Sequence, residues 1–202
     1  MKKFYSNKEL SEKLVIPLTK IRRYSGTILD PDEEATRQSG KSRKLSKKEA
    51  FLIYLCAHLV TKMGMVMDEA EAIIHDISPW LEANGFFPDS PKGKQDDTFY
   101  YDYINEKDEL VPGERPWYFP IEIQIMRANT PSGFFYRTIK EIPDSRKIRK
   151  IKGRQVTEIQ FEEGYILTYD QHYIIDNLNV YLLKISALVH DFDSKIEGRV
   201  RF

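Results

Sequence analysis

Hydrophobic residues recur at helical spacing as far as Leu81, and from Tyr118 onward they mostly alternate. The two regimes are divided by Phe86-Phe87-Pro88-Asp89-Ser90-Pro91-Lys92-Gly93-Lys94. A helix buries a stripe of every third or fourth residue, whereas a half-buried strand buries every second one. The change of period predicts an α+β chain in two parts. The Pro, Gly and Ser content of the divider predicts a linker. The boundaries read as residues 1–85 for a helical domain, 86–96 for the linker and 97–202 for an α+β domain.

The helical part has an ordered set of signals. Ser6-Asn7-Lys8-Glu9 is a Ser-x-x-Glu capping box opening a first helix that carries Leu10 and Leu14. Val15 and Ile16 break the pattern, and Pro17 is tolerated in the first turn of a second helix. There Leu18 and Ile21 face inward while Thr19, Lys20, Arg22 and Arg23 point out, a face suited to phosphates and base edges. A basic loop follows, with Arg37, Lys41, Arg43, Lys44, Lys47 and Lys48 in or beside it. Ser46 and Glu49 form a second capping box before Phe51, Tyr54, Leu55, Leu59 and Met63 at helical spacing. Asp68 is expected to cap the next helix, Ser78-Pro79 to interrupt it, and Asn84-Gly85 to close a last turn around Trp80 and Leu81. Two short helices around a tight turn, a basic loop and two more helices are the order of a winged helix-turn-helix.

These residues, from Lys8 to Ile74, resemble the DNA-binding domain of MerR-type transcriptional regulators. Lys8-Glu9-Leu10-Ser11-Glu12-Lys13-Leu14 is similar to the family's first helix, and Thr19-Lys20-Ile21-Arg22-Arg23-Tyr24 to its Arg/Tyr-containing second helix. Ile28-Leu29-Asp30-Pro31 resembles the approach to the wing, and Arg37 through Ser46 the wing itself. Glu49 to Val60, Met63-Gly64-Met65 and Asp68 to Ile74 resemble the helix, turn and helix that close the domain. Ser25-Gly26 stands where the family continues with an aromatic and an acid, so the second helix is expected to end early. The resemblance implies double-stranded DNA as partner. Thr19, Lys20, Arg22, Arg23 and Tyr24 would lie at the major groove, and Arg37, Lys41, Arg43 and Lys44 would contact the backbone from the wing. It also admits a small-molecule effector and a homodimer. The long helix with which such proteins dimerise is absent after residue 85, so a dimer would use another surface.

Charge is segregated in a manner that fits this reading. The whole chain has 31 basic and 31 acidic side chains, yet residues 1–62 carry 14 Lys/Arg against 7 Asp/Glu, while residues 63–125 carry 4 against 14. Non-specific DNA affinity depends on local phosphate neutralisation, so the positive first segment matters more than the zero total. No apolar run is long enough to cross a bilayer and no signal-peptide core follows Met1-Lys2-Lys3-Phe4, so a cytoplasmic protein without a membrane partner is expected. The single cysteine, Cys56, excludes an internal disulfide and reads as a small apolar packing residue. His58 and His75 lack metal-ligand partners at helical spacing, and neither metal nor cofactor is expected.

In the second part, Phe119, Ile121, Ile123 and Ile125 share one face, and Asn129 to Gly133 is a turn before a partner strand from Phe134 to Ile142. Two further strands are expected at Val156 to Phe161 and Tyr165 to Tyr169, separated by Glu162-Glu163-Gly164. Leu178, Leu182, Ile185 and Val189 predict a closing amphipathic helix from Asp176, packed on the sheet. Tyr101, Tyr103, Trp117, Tyr118 and Phe135 are candidates to line a pocket for a cationic or aromatic ligand, against the alternative that they fill the core of a small sheet. Arg146 to Arg154 holds six basic residues in nine, a solvated loop or a second phosphate contact.

Nothing in the sequence points to catalysis. It has no Gly-rich phosphate loop, His-Glu-x-x-His or nucleophile elbow, and Asp191-Phe192-Asp193 reads as a solvated terminus. Ile196-Glu197-Gly198-Arg199 would be read by a processing protease. The expectation is a non-enzymatic, sequence-specific DNA-binding transcriptional regulator. The alternatives are a protein-interaction or assembly module built on a winged helix, and an excisionase-like architectural factor.

Overall fold

A computed structural model describes residues 4–31, 43–87, 103–104, 110–111, 121–142, 147–152, 154–166 and 175–198. The chain is α+β and divides into two compact units, residues 1–94 with 188–202 and residues 95–187.

The first unit contains α1 (Asn7–Leu14), α2 (Leu18–Ile28), α3 (Lys47–Thr61) and α4 (Met67–Ala83). At the start of α1 the Ser6 hydroxyl accepts from the Glu9 N–H at 3.2 Å. The turn into α2 is three residues long. Val15 adopts the left-handed conformation (φ 56°), and the Ser11 hydroxyl donates to the Ile16 carbonyl at 2.6 Å. α2 does not end early: it passes through Ser25-Gly26 to Ile28. Ser25 is buried and its hydroxyl donates to the Arg22 carbonyl at 3.1 Å, and Thr27 bonds Arg23 in the same way. Packing of Ile21 and Tyr24 on one side of α2 outweighs the propensity cost of Gly26, about 1 kcal/mol.

α3 is the centre of this unit. Its capping box is complete, with the Ser46 hydroxyl accepting from the Glu49 N–H at 3.2 Å and the Glu49 carboxylate accepting from the Ser46 N–H at 2.7 Å. Ala50, Phe51, Ile53, Tyr54, Leu55, Cys56, Ala57 and Leu59 are buried, so the helix is enclosed on most of its circumference. α4 is capped at Val66, not Asp68, and Glu69 reaches back to the Val66 N–H at 3.3 Å. Ser78-Pro79 does not interrupt it. Proline forfeits one helical N–H, but the Ser78 hydroxyl donates to the Ile74 carbonyl and the buried Ile77 and Leu81 hold the helix on either side. Asn84 and Gly85 (φ 73°) then close it.

Two boundaries differ from expectation. Phe86 and Phe87 fall in the expected linker but are buried, Phe86 stacked on Trp80 with centroids 5.5 Å apart and Phe87 edge-on to Phe51 at 6.2 Å. Two adjacent phenylalanines gain too much from leaving water to serve as spacer. The closing helix, α5 (Ile185–Glu197), is divided between the units, its residues from Leu188 onward belonging to the first. Phe192 is fully buried against Phe51 at 5.3 Å and Tyr54 at 5.8 Å.

The second unit holds β3 (Ile121–Ala128), β4 (Phe134–Glu141), β7 (Phe161–Tyr165) and β8 (Ile175–Lys184), in an antiparallel sheet ordered β7-β4-β3-β8. Two small ribbons accompany it, β1 (Tyr103–Ile104) with β2 (Leu110–Val111), and β5 (Lys147–Ile151) with β6 (Arg154–Glu158). The β3–β4 hairpin turns across residues 129–133, where Gly133 has φ 80° and the Thr130 hydroxyl donates to the Phe134 carbonyl at 2.7 Å. Ile121, Ile123 and Ile125 are buried with Tyr136, Thr138 and Leu183.

Glu162-Glu163-Gly164 lies inside β7 instead of separating two strands. Gly164 faces Thr138, where a Cβ would stand 2.8 Å from Oγ1, so the glycine permits close strand approach and does not mark a turn. Residues 176–184 are strand, not helix. Met126 is opposite Val180 but Arg127 is opposite Asp176, and the extra residues between break the alternation that would have revealed a strand. Among the described residues no helix is long and apolar enough to cross a membrane.

Candidate nucleic-acid interface

α2 separates its residues into two faces. Ile21 and Tyr24 are buried, while Thr19, Lys20, Arg22, Arg23 and Gly26 are exposed and, at 100° per residue, contiguous. Tyr24 was expected among the DNA-facing residues, but at 2% exposure it belongs to the core, where burial raises its pKa. The exposed residues are two cationic guanidiniums, an ammonium and a hydroxyl, groups able to bond phosphate oxygens or the acceptor atoms of guanine. The short α1 and the three-residue turn carry this face without covering it.

The loop after α2 is anchored where it returns. Tyr5 and Leu45 form an antiparallel bridge with reciprocal backbone bonds of 2.8 Å, and both side chains are buried. Of the expected wing residues, Arg37 and Lys41 lie outside the described residues. Lys44 is exposed, and Arg43 donates to Glu49 Oε1 at 3.1 Å. Burial alone would raise the Glu49 pKa, but bonds from Ser46 and the Arg43 charge hold it below the usual carboxylate value. Arg43 thus fastens the return of the loop to the first turn of α3.

A second basic feature is the ribbon β5–β6. The segment expected as a loop is a regular antiparallel ladder running from Lys147 opposite Glu158 to Ile151 opposite Arg154. Lys147, Arg149 and Lys152 are exposed, and Lys152 takes the left-handed conformation (φ 50°) at the turn.

The expected ligand pocket is not assembled by the described residues. Tyr101, Trp117 and Tyr118 lie outside them, and of Tyr103 only the backbone is described, in β1. Phe135 is 3% exposed and its ring lies 5.5 Å from that of Tyr165, as a sheet-packing residue. Cys56 is buried and free, its thiol pushed up to about 12 chiefly by burial. His58 is half-buried and its pKa is lowered by burial and by Lys62. Among the described residues no group of three or more His, Cys, Asp or Glu is placed to hold a metal ion.

One polar cluster escaped the sequence reading. The Tyr54 hydroxyl donates to the Asp191 carboxylate, and Lys195 Nζ donates to Tyr54 at 2.8 Å and to Asp191 at 2.7 Å. Lys47 pairs with Asp193 at 2.7 Å, and Lys13 Nζ reaches the Ile196 carbonyl at 2.8 Å. Asp191-Phe192-Asp193 is therefore a clamp on α3, not a solvated terminus. Ile196, first residue of the protease-like tetrapeptide, is itself buried. The i,i+4 spacing of Asp191 and Lys195 signalled half of this cluster, but its partners Tyr54 and Lys47 are remote in sequence. No family model matches the chain, and neither a curated protein nor a solved structure does.

Proposed function

We propose that this protein is a sequence-specific DNA-binding transcriptional regulator of MerR-like type that reads duplex DNA with α2. The observation that carries the reading is the division of α2 into a buried Ile21/Tyr24 side and an exposed Thr19, Lys20, Arg22 and Arg23 side, behind a short helix and a tight turn. A helix whose inner residues are fixed by packing presents its cations at little ordering cost, and the major groove admits such a helix. Lys44 and the loop anchored by Tyr5 and Leu45 supply the backbone contacts. On this reading the protein has no catalytic residue.

The test is selection of random duplex DNA at physiological salt by the full chain, beside an Arg22→Ala/Arg23→Ala variant. Enrichment of a motif that the variant loses supports a sequence reader, and a palindromic motif supports a homodimer. Weak, equal binding by both proteins with no motif rejects it in favour of the interaction module. A bent duplex without a sequence motif favours the architectural factor.

A further inference from the structure

The ribbon β5–β6 belongs to the sheet unit and exposes Lys147, Arg149 and Lys152. β4 and β7 pair directly, from Arg137 opposite Tyr165 to Glu141 opposite Phe161, and the Ile142 N–H donates to the Gln160 carbonyl at 2.9 Å. β5 and β6 lie in the excursion between those two strands and, among the described residues, pair with each other alone. The excursion, residues 143–160, carries Arg146, Lys147, Arg149, Lys150, Lys152 and Arg154 against Asp144 and Glu158. Glu158 lies at the end of the ladder opposite Lys147 and 3.5 Å from Arg149, so the turn end has the greater excess of positive charge. Around those cations Ile151 and Val156 are 49% and 37% exposed. A solvated loop has no need of a five-pair ladder.

We propose that β5–β6 is a second DNA-contacting element, a basic β-ribbon that lies along duplex phosphates, with Lys147, Arg149 and Lys152 neutralising them. Two strands about 4.8 Å apart fit within a major groove about 12 Å wide. The ladder fixes the spacing of the cations before binding, so little ordering is required on contact. The proposal rests on the reading of the protein as a DNA binder and adds a contact in the other unit, where the helix-turn-helix resemblance places none. It predicts affinity without sequence information, since these side chains meet phosphate and α2 meets the bases.

The experiment measures affinity of the full chain for one duplex across a salt series. Wild type is compared with Lys147→Gln/Arg149→Gln/Lys152→Asn, with Lys147→Arg/Lys152→Arg, and with Arg22→Ala/Arg23→Ala. Asparagine tolerates the left-handed backbone at 152. The neutral ribbon variant is expected to bind about tenfold or more weakly at 0.15 M salt, with a salt slope smaller by about 2 to 3 and the same selected motif. The arginine variant keeps wild-type affinity and slope. If the neutral variant keeps both while Arg22→Ala/Arg23→Ala loses affinity, the ribbon proposal is overturned and the α2 reading stands. If wild type binds no duplex, both fall. If the neutral variant loses binding to poly-glutamate but not to the duplex, the ribbon serves an acidic protein and the proposal is overturned.

Discussion

α2 and α3 are neighbouring helices of one unit and do opposite work. α3 buries Ala50, Phe51, Ile53, Tyr54, Leu55, Cys56, Ala57 and Leu59 and is closed at its start by a complete capping box. α2 buries only Ile21, Tyr24 and Ser25 and begins at Pro17 without a side-chain cap. A helix enclosed by its neighbours is held by packing, and one packed on a single side is a platform. Changes to α3 and its contacts should therefore alter stability without altering recognition, and changes to the outer side of α2 should do the reverse.

The largest expected effect is at Phe192, which fills the space between Phe51 and Tyr54. Phe192→Ala should cost about 3–5 kcal/mol in chemical denaturation, while DNA affinity per folded molecule stays unchanged. A loss of under about 1 kcal/mol would mean that α5 is not part of the support of α3. Next is Arg22→Ala, expected to cost about 1–3 kcal/mol of DNA binding with relaxed specificity and an unchanged denaturation midpoint. Lys44→Ala should instead weaken all sequences alike and flatten the salt slope by about one.

Val15 sharpens the comparison from the other direction. It is 83% exposed and β-branched in a left-handed turn, a conformation that costs about 1–2 kcal/mol. Val15→Gly should raise stability by about 1 kcal/mol net of the extra chain entropy, read as a higher unfolding midpoint. No gain would mean that the turn is not strained. Ser46→Ala should cost about 1 kcal/mol by removing the cap of α3.

The smallest effect is in pH. Burial, then Lys62, lowers the pKa of His58 below 6.5, so the unfolded chain takes up this proton first. Its contribution is fully present above pH 6.5 and is lost as pH falls from there toward the folded value. His58→Gln should flatten stability across that window, and an unchanged slope would assign the acid sensitivity elsewhere. Glu49 adds a separate loss below about pH 4.5, since its folded pKa is lowered and its bonds from Ser46 and Arg43 require the carboxylate.

Much of this was legible where the signal is local. The two capping serines, the apolar repeat of α3 and the outward cations of α2 depend on residues three or four apart, and the 129–133 turn depends on its own glycine. The misses share a cause. Tyr24 lies next to Arg23 in sequence and 100° away on the helix, so an Arg-Arg-Tyr string conceals which member turns inward. Gly164 looks like a turn in the sequence because the group that requires it, the Thr138 hydroxyl, belongs to another strand. β8 has the apolar spacing of a helix because its register shift breaks the alternation. The clamp of Asp191 and Lys195 on Tyr54 joins residues more than 130 positions apart.

The position of Phe192 also bears on how the chain is made. Residues 1–94 leave the ribosome long before Leu188, yet the helical unit contains both segments. Domains ordinarily fold as they emerge, first segment first. Here Phe51 and Tyr54 must wait through synthesis of the entire sheet unit for the ring that packs against them, so nascent chains carry an open apolar notch until Phe192 arrives. A chain terminated before Phe192 would retain every residue of α2 and still be a substrate for chaperones and proteases.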